Sequence, residues 1–228
     1  MHRVQKLMSN YGYCSRRKAE DLIKEGRVEV NGKTISIGDS ASESDEIKID
    51  GKPINMEKKV YLIFNKPIHC VTALNDEHHR TIMEYIHIKE RIFPIGRLDF
   101  NTTGLLLFTN DGDFANKIMH PSNEIKKTYR VETHDPLDRY SMDIIERGVM
   151  LEDGKTAPAK VKEIKENLIE LTIHEGKNRI IRRMMKKIGH RVKSIERIRV
   201  GNLGLGNLKA GEYRNLTQKE KDKIFNLP

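Results

Sequence analysis

The chain has 228 residues, with 42 Lys and Arg against 33 Asp and Glu, for a formal net charge of +9. This length fits one large domain or a large one with a small companion. No apolar run approaches the ~18 residues of a spanning helix, so no membrane crossing is expected. Two cysteines, Cys14 and Cys70, could not staple a fold of this size and suit a reducing compartment. The apolar residues, though few, recur periodically, which favours a folded protein over a disordered one. No apolar signal core follows Met1-His2-Arg3-Val4-Gln5-Lys6, so an unprocessed cytoplasmic protein is expected.

The first 60 residues read as a small separate unit. Val4, Leu7, Met8 and Tyr11 fall on one helix face. Ser15 precedes a second helix whose Ala19, Leu22 and Ile23 face inward until Gly26 ends it. Val28 and Val30 alternate into Asn31-Gly32, and Ile47 and Ile49 alternate into Asp50-Gly51, the pattern of short hairpin strands. The stretch from Arg3 to Lys33 is basic, and the acids gather from Asp39 to Asp50. Two segments, Gly12-Tyr13-Cys14-Ser15-Arg16-Arg17-Lys18-Ala19-Glu20 and Gly26-Arg27-Val28-Glu29-Val30-Asn31-Gly32, together resemble the RNA-binding domain named after the fourth ribosomal small-subunit protein. The resemblance covers about residues 1–50 and implies phosphate contacts by the helix pair and the Arg-rich turn, through Arg16, Arg17, Lys18 and Arg27. Asn55-Met56-Glu57-Lys58-Lys59 is polar and reads as a linker, which places the domains at 1–58 and 59–228.

From Val60 onward, strands and helices mix without regular alternation. The fold class expected is α+β, with a mostly antiparallel sheet. Strands are expected at residues 60–64, 104–109, 127–132, 168–174 and 192–200. A polar loop centred on Asp99, within Gly96-Arg97-Leu98-Asp99-Phe100-Asn101-Thr102-Thr103-Gly104, runs straight into the apolar Leu105-Leu106-Leu107-Phe108. Taken alone, Asp99 reads as a turn or capping residue. Asp111-Gly112-Asp113 reads as a tight turn, and Gly201-Asn202-Leu203-Gly204-Leu205-Gly206 as turns between short strands, since no helix follows it. Metal chemistry has no support. The cysteines are far apart, His78 and His79 are adjacent, and no Cys-x-x-Cys or His-Glu-x-x-His spacing occurs.

The charge surplus is local. Between Gly176 and Arg199 stand ten basic residues and one acid, Glu196, so this segment carries the whole chain's excess. Ile180, Ile181, Met184, Met185 and Ile188 fall in one helical arc, with Arg179, Arg182, Arg183 and Lys186 on the other side and Gly189 as the stop. A solvated helix face usually mixes signs, and this one does not, which points to a polyanion and above all to nucleic acid.

The run from Gly96 to Gly112 closely resembles the second motif of the ribosomal RNA pseudouridine synthases, the family containing the RsuA and RluB branches. Further matches are Asn65-Lys66-Pro67, Lys127-Thr128-Tyr129 and the run from Glu175 to Met184. His120-Pro121-Ser122 and Gly154-Lys155-Thr156-Ala157-Pro158-Ala159 resemble the RluB branch, which acts on 23S rRNA. Two departures stand out: Ile180, where the family commonly has Gln, and His69, where it often has Gly. The resemblance implies isomerisation of a uridine without metal, nucleotide or redox cofactor, on rRNA, 23S before 16S, either naked or in a ribosome-assembly intermediate, and a monomer is expected.

By the same resemblance Asp99 is the catalytic carboxylate, Tyr129 stacks on the target base, and Arg182 is the cationic partner of Asp99. A carboxylate with an ordinary pKa of about 3.9 is ionised in the cytosol. Helical geometry does not separate Arg182 from Arg183, which ranks second and reads as a phosphate contact. Further RNA contacts are expected from Arg97, Lys127, Lys177, Asn178, Arg179, Lys186 and Lys187. The alternatives are a 16S-directed enzyme, a non-catalytic RNA-binding assembly protein, and a metal-free ribonuclease for which the scattered histidines nominate no pair.

Overall fold

The computed structural model describes residues 1–225 and divides into two units. One comprises Met1–Tyr61 with Ile88–Phe93 and Thr109–Phe114; the other holds the remaining described residues. No helix among the described residues is long and apolar enough to cross a membrane.

In the first unit, β1 (His2–Arg3) leads into α1 (Val4–Asn10), whose Val4, Leu7 and Met8 are buried, as is Tyr11 one turn on. The Ser15 Oγ accepts the Lys18 N–H at 3.2 Å and so caps α2 (Arg16–Lys24), which buries Ala19, Leu22 and Ile23 against the same core. Then follow β2 (Val28–Val30), β3 (Lys33–Thr34), β4 (Ser40–Ala41), β5 (Ile47–Ile49) and β6 (Lys52–Pro53). They form an antiparallel sheet in the order β3-β2-β5-β6, while β1 pairs with β4. Both turn pairs are as expected: Asn31 and Gly32 have φ of 52° and 76°, and Asp50 and Gly51 have 51° and 73°. Positive φ at both central residues suits the right-handed twist of a two-residue hairpin.

The polar run 55–59, expected as a linker, is instead tied down. The Glu57 N–H donates to the Tyr11 carbonyl at 3.2 Å, the Lys59 Nζ donates to the Asn10 carbonyl at 2.8 Å, and the Lys58 carbonyl accepts from Asn110 Nδ2 at 2.9 Å. Backbone groups with protein partners do not behave as a free tether. Asp111-Gly112-Asp113 is likewise no simple turn. Asp111 Oδ1 accepts the amides of Asp113 and Phe114, both at 3.1 Å, and so caps α3 (Gly112–Met119).

The second unit is built on one sheet. Its strands are β7 (Tyr61–Lys66), β8 (Phe93–Ile95), β9 (Thr103–Thr109), β10 (Lys127–Thr133), β13 (Lys160–Lys165), β14 (Leu168–Ile173), β15 (Val192–Val200), β16 (Leu203–Gly204) and β17 (Tyr213–Asn215), with β11 (Met150–Leu151) and β12 (Gly154–Lys155) forming a separate hairpin. The strand order is β13-β14-β10-β15-β9-β7-β17. Antiparallel pairs dominate, and β15 runs parallel to β9. All five expected strands are present to within two residues. Leu62–Phe64 and Leu105–Phe108 are wholly buried, which explains their continuous rather than alternating apolar character.

Helix α4 (Arg139–Arg147) and helix α5 (Ile180–Lys187) cover one region of this sheet. Met142 and Ile145 of α4 join Ile180, Ile181, Met184 and Met185 of α5 over Val131, Ile169, Leu171 and Ile195. Arg179, placed by its spacing on the polar side of α5, lies outside the helix as its N-cap, in the left-handed region at φ 48°. The Gly201–Gly206 run forms turns around β16, as expected, and α6 (Gln218–Phe225) closes the described chain.

Candidate active site

The loop from Leu98 to Thr102 is fixed carbonyl by carbonyl. The Leu98 carbonyl accepts from Thr72 Oγ1 at 2.7 Å, and the Asp99 carbonyl accepts the Thr102 N–H at 3.0 Å. The Phe100 carbonyl takes the His69 N–H at 3.0 Å, Asn101 takes Arg182 Nη2 at 2.8 Å, and Thr102 takes Lys66 Nζ at 3.0 Å. Five consecutive acceptors are thus held by donors from four different parts of the unit. Such support from surrounding groups is what precise placement of a reactive side chain requires.

The side chain so placed is Asp99. Its carboxylate accepts no hydrogen bond and forms no ion pair within 4.0 Å among the described residues. It borders a cavity of about 440 Å³. Arg97, Lys127, Lys177, Arg179, Arg182 and Arg197 line that cavity, against the carboxylates of Asp99 and Glu175 only. Glu175 is already engaged, accepting the Ala157 N–H and pairing with Lys177 at 3.1 Å. Asp99 is therefore the one uncommitted carboxylate in a strongly cationic cavity. Tyr129 adds an aromatic wall, and Leu98, Ile180, Ile181 and Ile195 add apolar surface.

Arg182 and Arg183, which spacing alone cannot separate, diverge. Arg182 reaches the Asp99 loop through Asn101, and its Nε is buried without an acceptor. Burial lowers the pKa of its guanidinium, the Arg179 charge lowers it further, and Asp99 opposes both. Arg183 turns to Asp153, at 2.7 and 3.1 Å, and its Nε donates to the Asn178 carbonyl at 2.9 Å. Its charge is spent on a carboxylate, so the structure gives it a bracing position rather than the free one expected of a phosphate contact.

Of the remaining expected contacts, Arg97, Asn178 and Arg179 are exposed at this cavity, and Lys186 and Lys187 are exposed on α5. In the first unit, Arg16, Arg17 and Lys18 project from the first turn of α2 with no carboxylate partner among the described residues. Three cations at a helix N-terminus oppose the helix dipole, a cost that a polyanion would offset. Arg27 is different. Its guanidinium is clamped by Asp50 at 2.6 Å and Glu25 at 2.9 Å, which neutralise it locally.

His69 sits at φ 58°, in the left-handed region where glycine is at ease. Its ring packs against Phe100 at 5.4 Å with the ring planes tilted by 53°, and its amide holds the Phe100 carbonyl. The departure from glycine thus adds an aromatic contact to the Asp99 loop at the cost of backbone strain.

Two site residues were given no role from the sequence: Lys66 entered only within the Asn65-Lys66-Pro67 match, and Arg197 only among the basic residues of 176–199. Lys66 is fully buried, and burial depresses its pKa to about 8 against the pull of Cys70 and Asp99. The signal was a charged residue ending the apolar strand Val60–Phe64. Arg197 is 4% exposed, and its Nε donates to the Leu105 carbonyl at 2.7 Å. Its signal was an arginine two residues after the buried Ile195, in the inward phase of a strand.

Lys127 provides a test of the site's electrostatics. Its pKa falls to about 8, first through burial and then through repulsion from Arg197. With an unfolded value near 10.5, the folded state bears the full cost of this charge below about pH 8 and sheds it as pH rises to about 10.5. Lys127→Met is therefore expected to raise the thermal midpoint by roughly 2–4 °C at pH 7, about 1 kcal/mol, with the gain fading toward pH 10.5. Melting curves at pH 7 and pH 10.5 check this, and a gain that grows with pH would contradict it.

Among the described residues no three His, Cys, Asp or Glu side chains gather as a metal site would require. The cavity instead offers one uncommitted carboxylate, an aromatic face and many cations. That set suits work on a nucleotide in an RNA strand.

Residues 60–187 match the family described as RNA pseudouridylate synthase, and residues 2–47 match the S4 domain. The chain belongs to the RNA pseudouridylate synthase family. It is 44% identical over 98% of its length to ribosomal large subunit pseudouridine synthase B of Bacillus subtilis, covering 96% of that protein. It is 36% identical to the dual-specificity RNA pseudouridine synthase RluF of Escherichia coli, over 99% of this chain and 79% of that one. A crystal structure of a pseudouridylate synthase superposes with a TM-score of 0.74 at 31% identity, covering 98% of this chain and 100% of the other. Family membership supplies an isomerase activity, and the α+β fold with its mostly antiparallel sheet and amino-terminal S4 domain agrees with it.

Proposed function

We propose that this pseudouridine synthase converts a uridine of large-subunit 23S rRNA to pseudouridine, with Asp99 as the carboxylate that initiates cleavage of the glycosidic bond. The observation that carries this reading is the uncommitted Asp99 carboxylate, on a fully braced loop, in a cavity lined by six cations. The large-subunit target rests on the likeness to the Bacillus subtilis enzyme. Tyr129 would stack on the flipped base, offsetting an unstacking cost of a few kcal/mol with about 1–3 kcal/mol of aromatic contact. Arg182 would supply a positive charge at the Asp99 loop, which it already holds through the Asn101 carbonyl. Residues 1–58 would bind the RNA, and residues 59–228 would carry the reaction, in a monomer acting in the cytoplasm on rRNA or an assembly intermediate.

The direct test maps pseudouridines at single-nucleotide resolution in unmodified 23S and 16S rRNA after incubation with the protein. A new pseudouridine confined to 23S rRNA is expected, and one confined to 16S rRNA would overturn the large-subunit reading. The basic helix gives a second expectation. Neutralising Lys186 and Lys187 together should weaken RNA binding and reduce the salt slope of log K by about 1.5, because each phosphate contact contributes roughly 0.7–0.9. Filter binding across a salt series checks this, and an unchanged slope would contradict it.

A further inference from the structure

Arg197 has no place in the division of labour above, yet the fold goes to some length to position it. Strand β15 carries a bulge: Thr128 faces Arg199 while the next residue, Tyr129, faces Arg197, so Ile198 is skipped. The bulge brings Arg197 onto the same face of the sheet as Tyr129, directly opposite it. On its other side Arg197 pairs with Gly104 of the parallel strand β9. Gly104 has φ 103°, and a Cβ there would press into the Arg197 backbone. The side chain is 4% exposed, lines the cavity, and commits only Nε, to the Leu105 carbonyl. Its two terminal nitrogens have no acceptor among the described residues and no carboxylate partner. Donors left open on a cavity wall, on a side chain without a counter-charge, favour a ligand that accepts hydrogen bonds and carries negative charge.

We propose that Arg197 binds the uracil carbonyl oxygens of the flipped uridine and stabilises the negative charge that forms on them when the glycosidic bond breaks. The proposal rests on the pseudouridine synthase reading and assigns a residue to one step of it. The C1′–N1 bond cleaves with its electron pair going to the base, where it spreads over N1, O2 and O4. After the base turns, C5 bonds to C1′, the C5 proton departs, and N1 takes up a proton, so the reaction is an isomerisation with atoms and charge conserved. Charge develops on the oxygens only after cleavage begins, so donors already fixed in a dry cavity act on the transition state more than on the bound substrate. Phosphate is the rival ligand. The exposed Arg97 and Arg179 are positioned for it, whereas Arg197 is 4% exposed and shares Tyr129's face of the sheet, beside the place a base stacked on Tyr129 would occupy.

The test compares wild type, Arg197→Met and Arg197→Lys on an RNA carrying the target uridine, or that uridine with 2-thio or 4-thio substitution. Sulfur is a poorer acceptor than oxygen. Arg197→Met is expected to lower saturated turnover by roughly 10²–10³-fold, with RNA affinity changed far less and Arg197→Lys intermediate. At one or both positions, thio substitution should slow the wild type but add little to Arg197→Met, a non-additivity that a purely structural role would not produce. Additive losses at both positions would overturn the proposal. So would weakened binding with a flattened salt slope and normal saturated turnover, the signature of a phosphate contact. Wild-type turnover on the unmodified RNA reports separately on the underlying reading, since its absence would sink the enzyme activity itself and not the role of Arg197.

Discussion

Asp99→Asn is expected to lower pseudouridine formation by roughly 10⁴-fold or more, on the scale seen when an essential reactive group is removed. RNA affinity should stay level or tighten. The amide keeps the shape of the carboxylate, and the five carbonyl bonds that hold the loop do not involve the Asp99 side chain. Removing a negative charge from a cavity lined by six cations does not weaken its attraction for a polyanion. The two readouts therefore separate chemistry from binding. Single-turnover assays with saturating protein, alongside binding titrations, measure both, and a variant that turns over within tenfold of wild type would show that the carboxylate is not the reactive group.

Gly104→Ala is expected to be among the most damaging substitutions that touch no charged group. Any Cβ at φ 103° is strained, and here it would also meet the Arg197 backbone where β9 and β15 run together. Backbone strain of about 1–3 kcal/mol and overpacking of similar size together suggest a loss of roughly 3 kcal/mol or more. For a chain of this length that corresponds to a fall in thermal midpoint of about 6–12 °C. The pairing of β9 with β15 is short, Thr103 with Glu196 and Gly104 with Arg197, and it lies next to the Asp99 loop. Turnover should therefore drop further than stability alone would require at a temperature where the variant remains folded. Thermal unfolding and activity at 20 °C check both, and a midpoint within 2 °C of wild type would contradict the steric argument.

What the sequence disclosed and what it concealed follow from how local each signal is. Asp99 and Tyr129 stood out through the family resemblance, because the motifs that carry them, Gly96–Gly112 and Lys127-Thr128-Tyr129, are each contiguous in the chain. The hairpin turns at Asn31-Gly32 and Asp50-Gly51 were readable because two adjacent residues set the turn. Lys66 and Arg197 were obscured because their meaning lies in burial, and burial is decided by partners distant in the chain: Lys66 by Thr102, Arg197 by Gly104 and Leu105. The choice between Arg182 and Arg183 needed the positions of Asn101 and Asp153, far away in sequence. Strand β13 carried no expectation because its Lys160-Val161-Lys162-Glu163-Ile164-Lys165 is an exposed edge strand without apolar alternation. Lysines there also discourage pairing with another sheet. Helix α3 was hidden by reading Asp111-Gly112 as a turn, when the same Asp served as a cap.

The surplus of nine positive charges now has a more specific meaning. Part of it surrounds one free carboxylate in a cavity, part is braced by Asp153, and part faces outward on α5. The measurement that tests this account most directly uses rRNA labelled with tritium at C5 of uridine, because joining C5 to C1′ expels that hydrogen. With wild-type protein and large-subunit rRNA, tritium is expected to appear in water to about one equivalent per RNA, and with Asp99→Asn, although it still binds the RNA, none is expected. Retention of all label with the wild-type protein, or release at the wild-type rate by the variant, would contradict the claim that Asp99 drives uridine isomerisation.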